Sequence, residues 1–255
     1  MDIKLDVTKS LEQNAETYFN ESKKARKKIE GARIALNRSL MKLEELKLNR
    51  IKELKEVKQK VEIKREWYEK FRWFISSEGF LCIGGRDAAT NEIVIKKHTE
   101  KGDLVFHTSM AGSPFFVVKS EGKEIGKATI EEACQATASY SRAWKLGLSM
   151  QEVFYVNPDQ VSKTAKPGEF IARGAFMVYG KKEGMTMELG IAIGIKDGKI
   201  IGGPVNAIKK NADKFLIIKQ SNDKSSDTAK KIQKKIGGEL DDIIRMLPAG
   251  GCSVG

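Results

Sequence analysis

The chain has 255 residues, enough for one or two domains with a proper core. It carries 46 Lys and Arg against 34 Asp and Glu, a formal charge of +12, which favours a polyanionic partner, nucleic acid before an anionic membrane face. No run has the length of a membrane span, the start MDIKLDVTKS lacks a signal-peptide pattern, and Cys82, Cys134 and Cys252 form no CxxC, so a cytoplasmic, reducing setting without disulfides or membrane contact is expected.

From Leu11 the apolar or small residues fall at Leu11, Ala15, Tyr18, Ser22, Ala25, Ile29, Ala32 and Leu36. The alternating spacing of four and three is a heptad seam. Ser10 with Gln13 reads as a capping box that starts the helix. The phase is muddled between Leu43 and Leu54 and resumes at Leu54, Val57, Val61 and Tyr68. That break predicts an antiparallel coiled-coil hairpin over residues 1–66, turning between Leu36 and Arg50, each arm of about 26 residues reaching roughly 39 Å. The alternative is one long helix that pairs with a partner.

Beyond Trp67 the period changes. GFLCIGG, EIVIKK, DLVFH and PFFVVK are short β-rich runs separated by Gly, Asn, Asp and charge. In TIEEACQATASYSRAWKLG, Ile130, Ala133, Thr137, Tyr140, Trp144 and Leu148 share a helical face; Thr129 with Glu132 reads as a capping box and Gly147 as a stop. QEVFYV, GAFMVYG and MELGIAIGI are further strands. A mixed sheet with a packed helix follows, over residues 67–200. Residues 201–255 read as a small basic α/β unit: the strand KFLIIK, the helices SSDTAKKIQKKIGG and ELDDIIRML, and a loose AGGCSVG. The fold class is α+β. Its charge is uneven, net +6 over residues 1–66, +1 over 67–195 and +5 over 196–255, a near-neutral globular centre with basic flanks.

Enzyme signatures are missing. His98 and His107 are the only histidines and neither sits in HExxH or at ligand spacing with Cys. The chain holds no GxxxxGK[ST] and no GxSxG, and CIGGRD lacks the GxGxxG spacing. No catalytic residue, metal or cofactor is expected. The basic residues carry the remaining chemistry. After Gly84-Gly85, Arg86 either grips a phosphate with its planar fork or pairs with Asp87 or Glu92 to hold the turn. Lys96, Lys97 and His98 close the second predicted strand. His107 either meets an RNA phosphate or 2′-hydroxyl or is a satisfied structural histidine. The loop Gln160–Gly168 sets hydroxyls beside Lys163 and Lys166, a phosphate-binding combination, and Arg173, Lys181 and Lys182 extend its face. Trp67, Phe71 and Phe74 have helical spacing and are expected to plug the arm into the sheet core rather than stack on bases. Lys23, Lys24, Arg26, Lys27 and Lys28 form either a solvated helix face or a ribosomal RNA contact.

Several ordered motifs resemble the NFACT family: Ile83-Gly84-Gly85-Arg86-Asp87 with Asn91-Glu92, His107 with Gly112, and Gln160-Val161-Ser162-Lys163-Thr164 with Pro167-Gly168-Glu169. The resemblance covers roughly residues 3–182 and is strongest over the family's RNA-binding domain. DVTKSLEQNAETYF looks like the start of its coiled-coil region, and the C-terminal unit resembles the tail of archaeal members. The resemblance implies binding to large ribosomal subunits with obstructed peptidyl-tRNA, and to tRNA. The family's large N-terminal domain is not in this sequence, so the chain reads either as a fragment or as one part of a split system, in which a separate N-terminal portion would be a partner. Where relatives carry an acid or a second His after the His107 position, this chain has Ser109 and Ala111. The expected function is therefore a ribosome-associated, RNA-binding module of ribosome quality control; the alternative is a coiled-coil scaffold whose basic charge is incidental.

Overall fold

The computed structural model describes residues 3–59, 65–164 and 171–255. Contacts divide the chain into two compact units, residues 1–65 and 66–255.

The first unit is one α-helix, Leu11–Gln59 (α1), of 49 residues and roughly 73 Å. Its start is as expected: Gln13 N–H donates to Ser10 Oγ, and Ser10 N–H donates to Gln13 Oε1. A clasp missed in the sequence adds to it. Buried Asn14 accepts from Asp6 N–H and donates to the carbonyls of Asp6, Lys9 and Ser10, while Tyr18 Oη donates to the Lys4 carbonyl. The hairpin is overturned: α1 runs straight through Leu36 to Arg50. Those residues are mostly good helix formers, with no Gly or Pro to end a helix. The step from Leu43 to Leu54 spans 11 positions in the sequence, about three helical turns, so a continuous helix absorbs the phase break as a stutter. Tyr18, Ile29 and Leu36 of the seam are exposed.

The second unit holds two antiparallel sheets. Strands Arg72–Ile75 (β1), Leu81–Gly84 (β2), Leu104–Thr108 (β3), Phe116–Val118 (β4), Met150–Val156 (β5) and Glu183–Glu188 (β8) pair in the order β1-β2-β4-β3-β5-β8. Val161–Ser162 (β6) and Met177–Val178 (β7) make a small ladder. Every pairing among the described strands is antiparallel, where a mixed sheet was expected. Helix Lys127–Ser139 (α3) packs against β3, β4, β5 and β8, and Arg142–Lys145 (α4) follows it. Buried Phe71, Phe74, Ile83, Phe106 and Phe116 fill the core with Ala133 and Cys134 of α3.

One expected strand is a helix. EIVIKK lies in Ala88–Lys97 (α2), capped by Asp87, whose carboxylate accepts from Thr90 N–H at 2.8 Å. The reciprocal capping bonds start a helix that the β-branched run opposes, and Val94 is buried beneath it. Lys96, Lys97 and His98 therefore end a helix. The capping box read at Thr129 and Glu132 is also absent. Glu78 accepts from Thr129 N–H at 2.9 Å instead, and Glu132 accepts from Ser77 N–H. The one helix expected over this run is two, parted at Tyr140 and Ser141, and Gly147 follows the second at φ +72°.

The second sheet sets the boundary expected at 200–201 inside a strand. Its strands are Ile191–Lys196 (β9), Lys199–Gly203 (β10), Lys214–Gln220 (β11) and Cys252–Val254 (β12), ordered β10-β9-β11-β12. Helices Val205–Asn211 (α5), Ser225–Ile236 (α6) and Leu240–Met246 (α7) cover it. The terminus is not loose: β12 pairs with β11, and Cys252 is buried. Tyr140 Oη donates to the Met246 carbonyl and Trp144 Nε1 to the Gly251 carbonyl, so the C-terminal segment braces the α3–α4 corner.

Candidate nucleic-acid interface

The β2–α2 turn, the loop before β4, the α3–α4 corner and residues 173–176 enclose a cleft of about 670 Å³. Two close approaches build the turn. A Cβ on Gly84 would lie 2.6 Å from the Phe116 ring, and one on Gly85 would lie 1.9 Å from Asn91 Oδ1, the atom that accepts from Phe115 N–H. Here both glycines allow close packing against protein, and Gly85 also lines the cleft.

Cations dominate the cleft. Arg72, Arg86, Arg142, Lys145 and Arg173 line it, with Asp87 as the one acid among the lining residues. The Arg72 guanidinium sits 4.1 Å from the centre of the Tyr140 ring, and its Nη1 donates to the Leu247 carbonyl at 3.3 Å. Arg86 donates to the carbonyls of Phe71 and Arg245, but its buried Nε has no partner. Neither expected Asp87 nor Glu92 pairing holds it; Asp87 is spent on capping α2. Burial, and then the charge of Arg72, pull the Arg86 guanidinium down to about 10, with Asp242 opposing least. It stays charged at neutral pH. Two partly desolvated guanidiniums that repel one another are a place where an anion is favoured. Arg142, Lys145 and Arg173 are exposed at the mouth.

His107 lies at the cleft but is no phosphate-binding cation. Its ring stacks on Phe115 at 4.1 Å and faces Phe154 at 6.0 Å. Burial pushes it down to about 4, against backbone hydrogen bonds at Thr108 and Ser113 that favour the charged form. The unfolded chain, with histidine near its ordinary 6.5, binds the proton first as pH falls. Stability is therefore full above that value and declines from pH 6.5 toward 4. Urea unfolding is expected to show about 2 kcal/mol lost to this group between pH 7 and pH 5. In His107→Gln that part of the decline disappears; an unchanged slope would place the loss elsewhere.

The other expected contacts scatter. Lys163 is committed internally: Nζ donates to the carbonyls of Ala172 and Ala175, each at 2.9 Å, and lies 2.9 Å from Glu92 Oε1. That ammonium, and after it Gly174 N–H, hold the Glu92 carboxylate at about 2. Lys163 thereby fixes the loop that carries Arg173. Lys166 lies outside the described residues. Lys96, Lys97, Lys181 and Lys182 are exposed but do not line the cleft; Lys96 pairs with Glu92 at 3.5 Å and Lys182 sits over Phe154. Lys23, Lys24, Arg26, Lys27 and Lys28 are exposed on α1. The sequence reading thus found Arg86, His107 and Arg173 of the cleft and missed Arg72, Arg142 and Lys145. The signal available was SRAWK directly after the helix, which sets Arg142 and Lys145 three apart.

Of the expected aromatic plug, Phe71 and Phe74 enter the core, but from the end of a short turn and from β1 and not from one helix face, and Trp67 is 46% exposed.

Residues 70–180 match the family model described as NFACT protein RNA binding domain. The archaeal Rqc2 homolog aRqcH of Methanocaldococcus jannaschii is 42% identical over 207 residues, 78% of this chain and 31% of that protein. The ribosome quality control complex subunit NEMF homolog of Drosophila melanogaster is 34% identical over 205 residues, 78% of this chain and 21% of that protein. Human NEMF is 36% identical over 171 residues, 66% of this chain and 16% of its own length. This chain thus spans under a third of each of these relatives. Matched segments of this length, including the domain that builds the cleft, establish the relationship: the chain belongs to the NFACT family.

Proposed function

We propose that this chain is an RNA-binding, ribosome-associated portion of a ribosome quality control factor, engaging large ribosomal subunits with an obstructed peptidyl-tRNA, or tRNA itself. The observation that carries the reading is the cation-lined cleft inside the NFACT RNA-binding match. Relatives named for ribosome quality control support it. In this reading Arg142, Lys145 and Arg173 meet phosphates at the mouth, while Arg72 and Arg86 hold an anion deeper in. The chain binds rather than turns over RNA, and it acts in the cytoplasm; no helix among the described residues is long and apolar enough to cross a membrane. The family portion that is not in this sequence would act with it.

The exposed seam of α1 favours a second role beside the first: pairing with another helix, as a coiled-coil arm. Co-sedimentation with purified large subunits, with and without peptidyl-tRNA, across a salt series tests both. Expected is binding that increases with peptidyl-tRNA and falls steeply with salt, since each phosphate contact releases condensed ions. Binding that is flat with salt would sink the RNA reading and leave the scaffold.

A further inference from the structure

We infer that the Trp67–His98 ring pair is a stacking platform for one unpaired RNA base, separate from the arginine cleft; this rests on the RNA-binding reading above. Trp67 is 46% exposed, whereas Trp73 and Trp144 are 9% and 3% exposed. An indole this open in a neutral setting would be unremarked, but this one is prearranged. Its ring lies 4.5 Å from the His98 imidazole at an interplanar angle of 19°. His98 in turn is fixed. Its N–H donates to the Val94 carbonyl at the end of α2, and its own carbonyl accepts from Lys119 Nζ at 3.1 Å. Its ring also meets Phe71, a core residue, edge-on at 5.3 Å. One face of the indole is therefore backed by a ring anchored to the core, and binding a base needs no ordering of the platform.

The charge around the pair selects the occupant. Lys70, Lys119 and Lys97 all bear on His98, with Glu100 opposing them least; of the acids beside Trp67, Glu69 pairs with Lys199 and Glu66 is exposed. Lys119 is engaged by Asp103, which leaves exposed Lys70 and Lys97 beside the rings. A flat aromatic face flanked by ammonium groups suits a base with its phosphates, and suits an apolar protein segment poorly. Because every base has a π-face, the contact is sequence-tolerant. A paired base is already stacked, so the platform takes an unpaired one.

The test follows indole emission while an unlabelled, unstructured oligoadenylate RNA is titrated into the full chain, with anisotropy of a labelled copy measured in parallel. Expected is quenching that tracks binding. Trp67→Ala should remove the quenching and weaken binding about tenfold, the size of one base stack, without changing the salt slope, because no charge is lost. Trp67→Phe should retain most of the affinity. Binding by anisotropy with unchanged emission, or Trp67→Ala binding like the parent, overturns the platform and leaves the RNA reading intact. Equal quenching by a blunt duplex or by inorganic polyphosphate also overturns it. Absence of any anisotropy change overturns the platform, while co-sedimentation with large subunits decides the RNA reading separately.

Discussion

Replacing Arg142, Lys145 and Arg173 together with alanine is expected to weaken binding to tRNA about a hundredfold. All three are exposed at the mouth of the cleft, so their removal costs little packing. A screened charge-assisted contact contributes about 1 kcal/mol, and three give about 3 kcal/mol. Three lost phosphate contacts also lower the slope of log affinity against log salt by about 2 to 3. The control variant replaces Lys96, Lys181 and Lys182, which lie off the cleft and away from the Trp67 rings, and should keep most of the affinity despite losing as much charge. Fluorescence anisotropy on labelled tRNA, with circular dichroism as a check on folding, decides between them. If the control variant loses as much affinity as the cleft variant, binding follows net charge and the cleft is not the interface. Lys163→Ala belongs to a third class. It unpins the carbonyls of Ala172 and Ala175 and leaves Glu92 to Lys96 and Gly174 N–H alone, so any effect on affinity acts through the position of Arg173.

What the sequence disclosed and what it hid follow from the range of the interactions involved. The α1 start, the α+β class, the strands around Cys82, Phe106 and Phe154, and the helix on Cys134 are written in local patterns of capping, alternation and helical period. The errors sit where a cap or a distant partner overrides local composition. EIVIKK carries strand propensity, yet Asp87 and Thr90 cap it into α2. AGGCSVG has turn composition, yet β11 offers an open edge and Trp144 a donor to Gly251, so it is ordered. The hairpin error was different in kind: the local phase break was real, but a helix with no breaker residue continues through it. At the candidate site, Gly85, Arg86 and Asp87 line the cleft, while Gly84 and Gly85 answer Phe116 and Asn91 and Asp87 caps a helix. Arg72 could not be assigned from sequence, because what makes it a cleft residue is Tyr140 beneath its guanidinium and Leu247 at its end, 68 and 175 positions away.

The largest stability effect is expected at a buried ion pair behind the Trp67 platform. Asp103 is 1% exposed and Lys119 9%, and their charged atoms are 2.6 Å apart. The Asp103 carboxylate also accepts from Ser120 N–H and Glu100 N–H, each at 2.9 Å. Lys119 Nζ donates further to the His98 carbonyl. Asp103→Ala strands two backbone donors and leaves the ammonium with Glu100, a largely exposed partner at 3.2 Å. Breaking one side of such a pair costs about 3–5 kcal/mol, because the other charge remains buried. That is a large share of the roughly 5–15 kcal/mol that holds a typical domain. Adding Lys119→Met removes the stranded charge and should recover part of the loss. Urea unfolding of the parent, the single variant and the double variant measures this directly. A loss below about 1 kcal/mol in Asp103→Ala would mean that water reaches the pair and that it does not anchor the fold. The same network ties the end of α2 to β4 through His98, so Asp103→Ala should also loosen the ring behind Trp67 and raise acrylamide quenching of indole emission. Stability and the proposed base platform would then fail together in that variant, whereas Trp67→Ala would remove the platform alone.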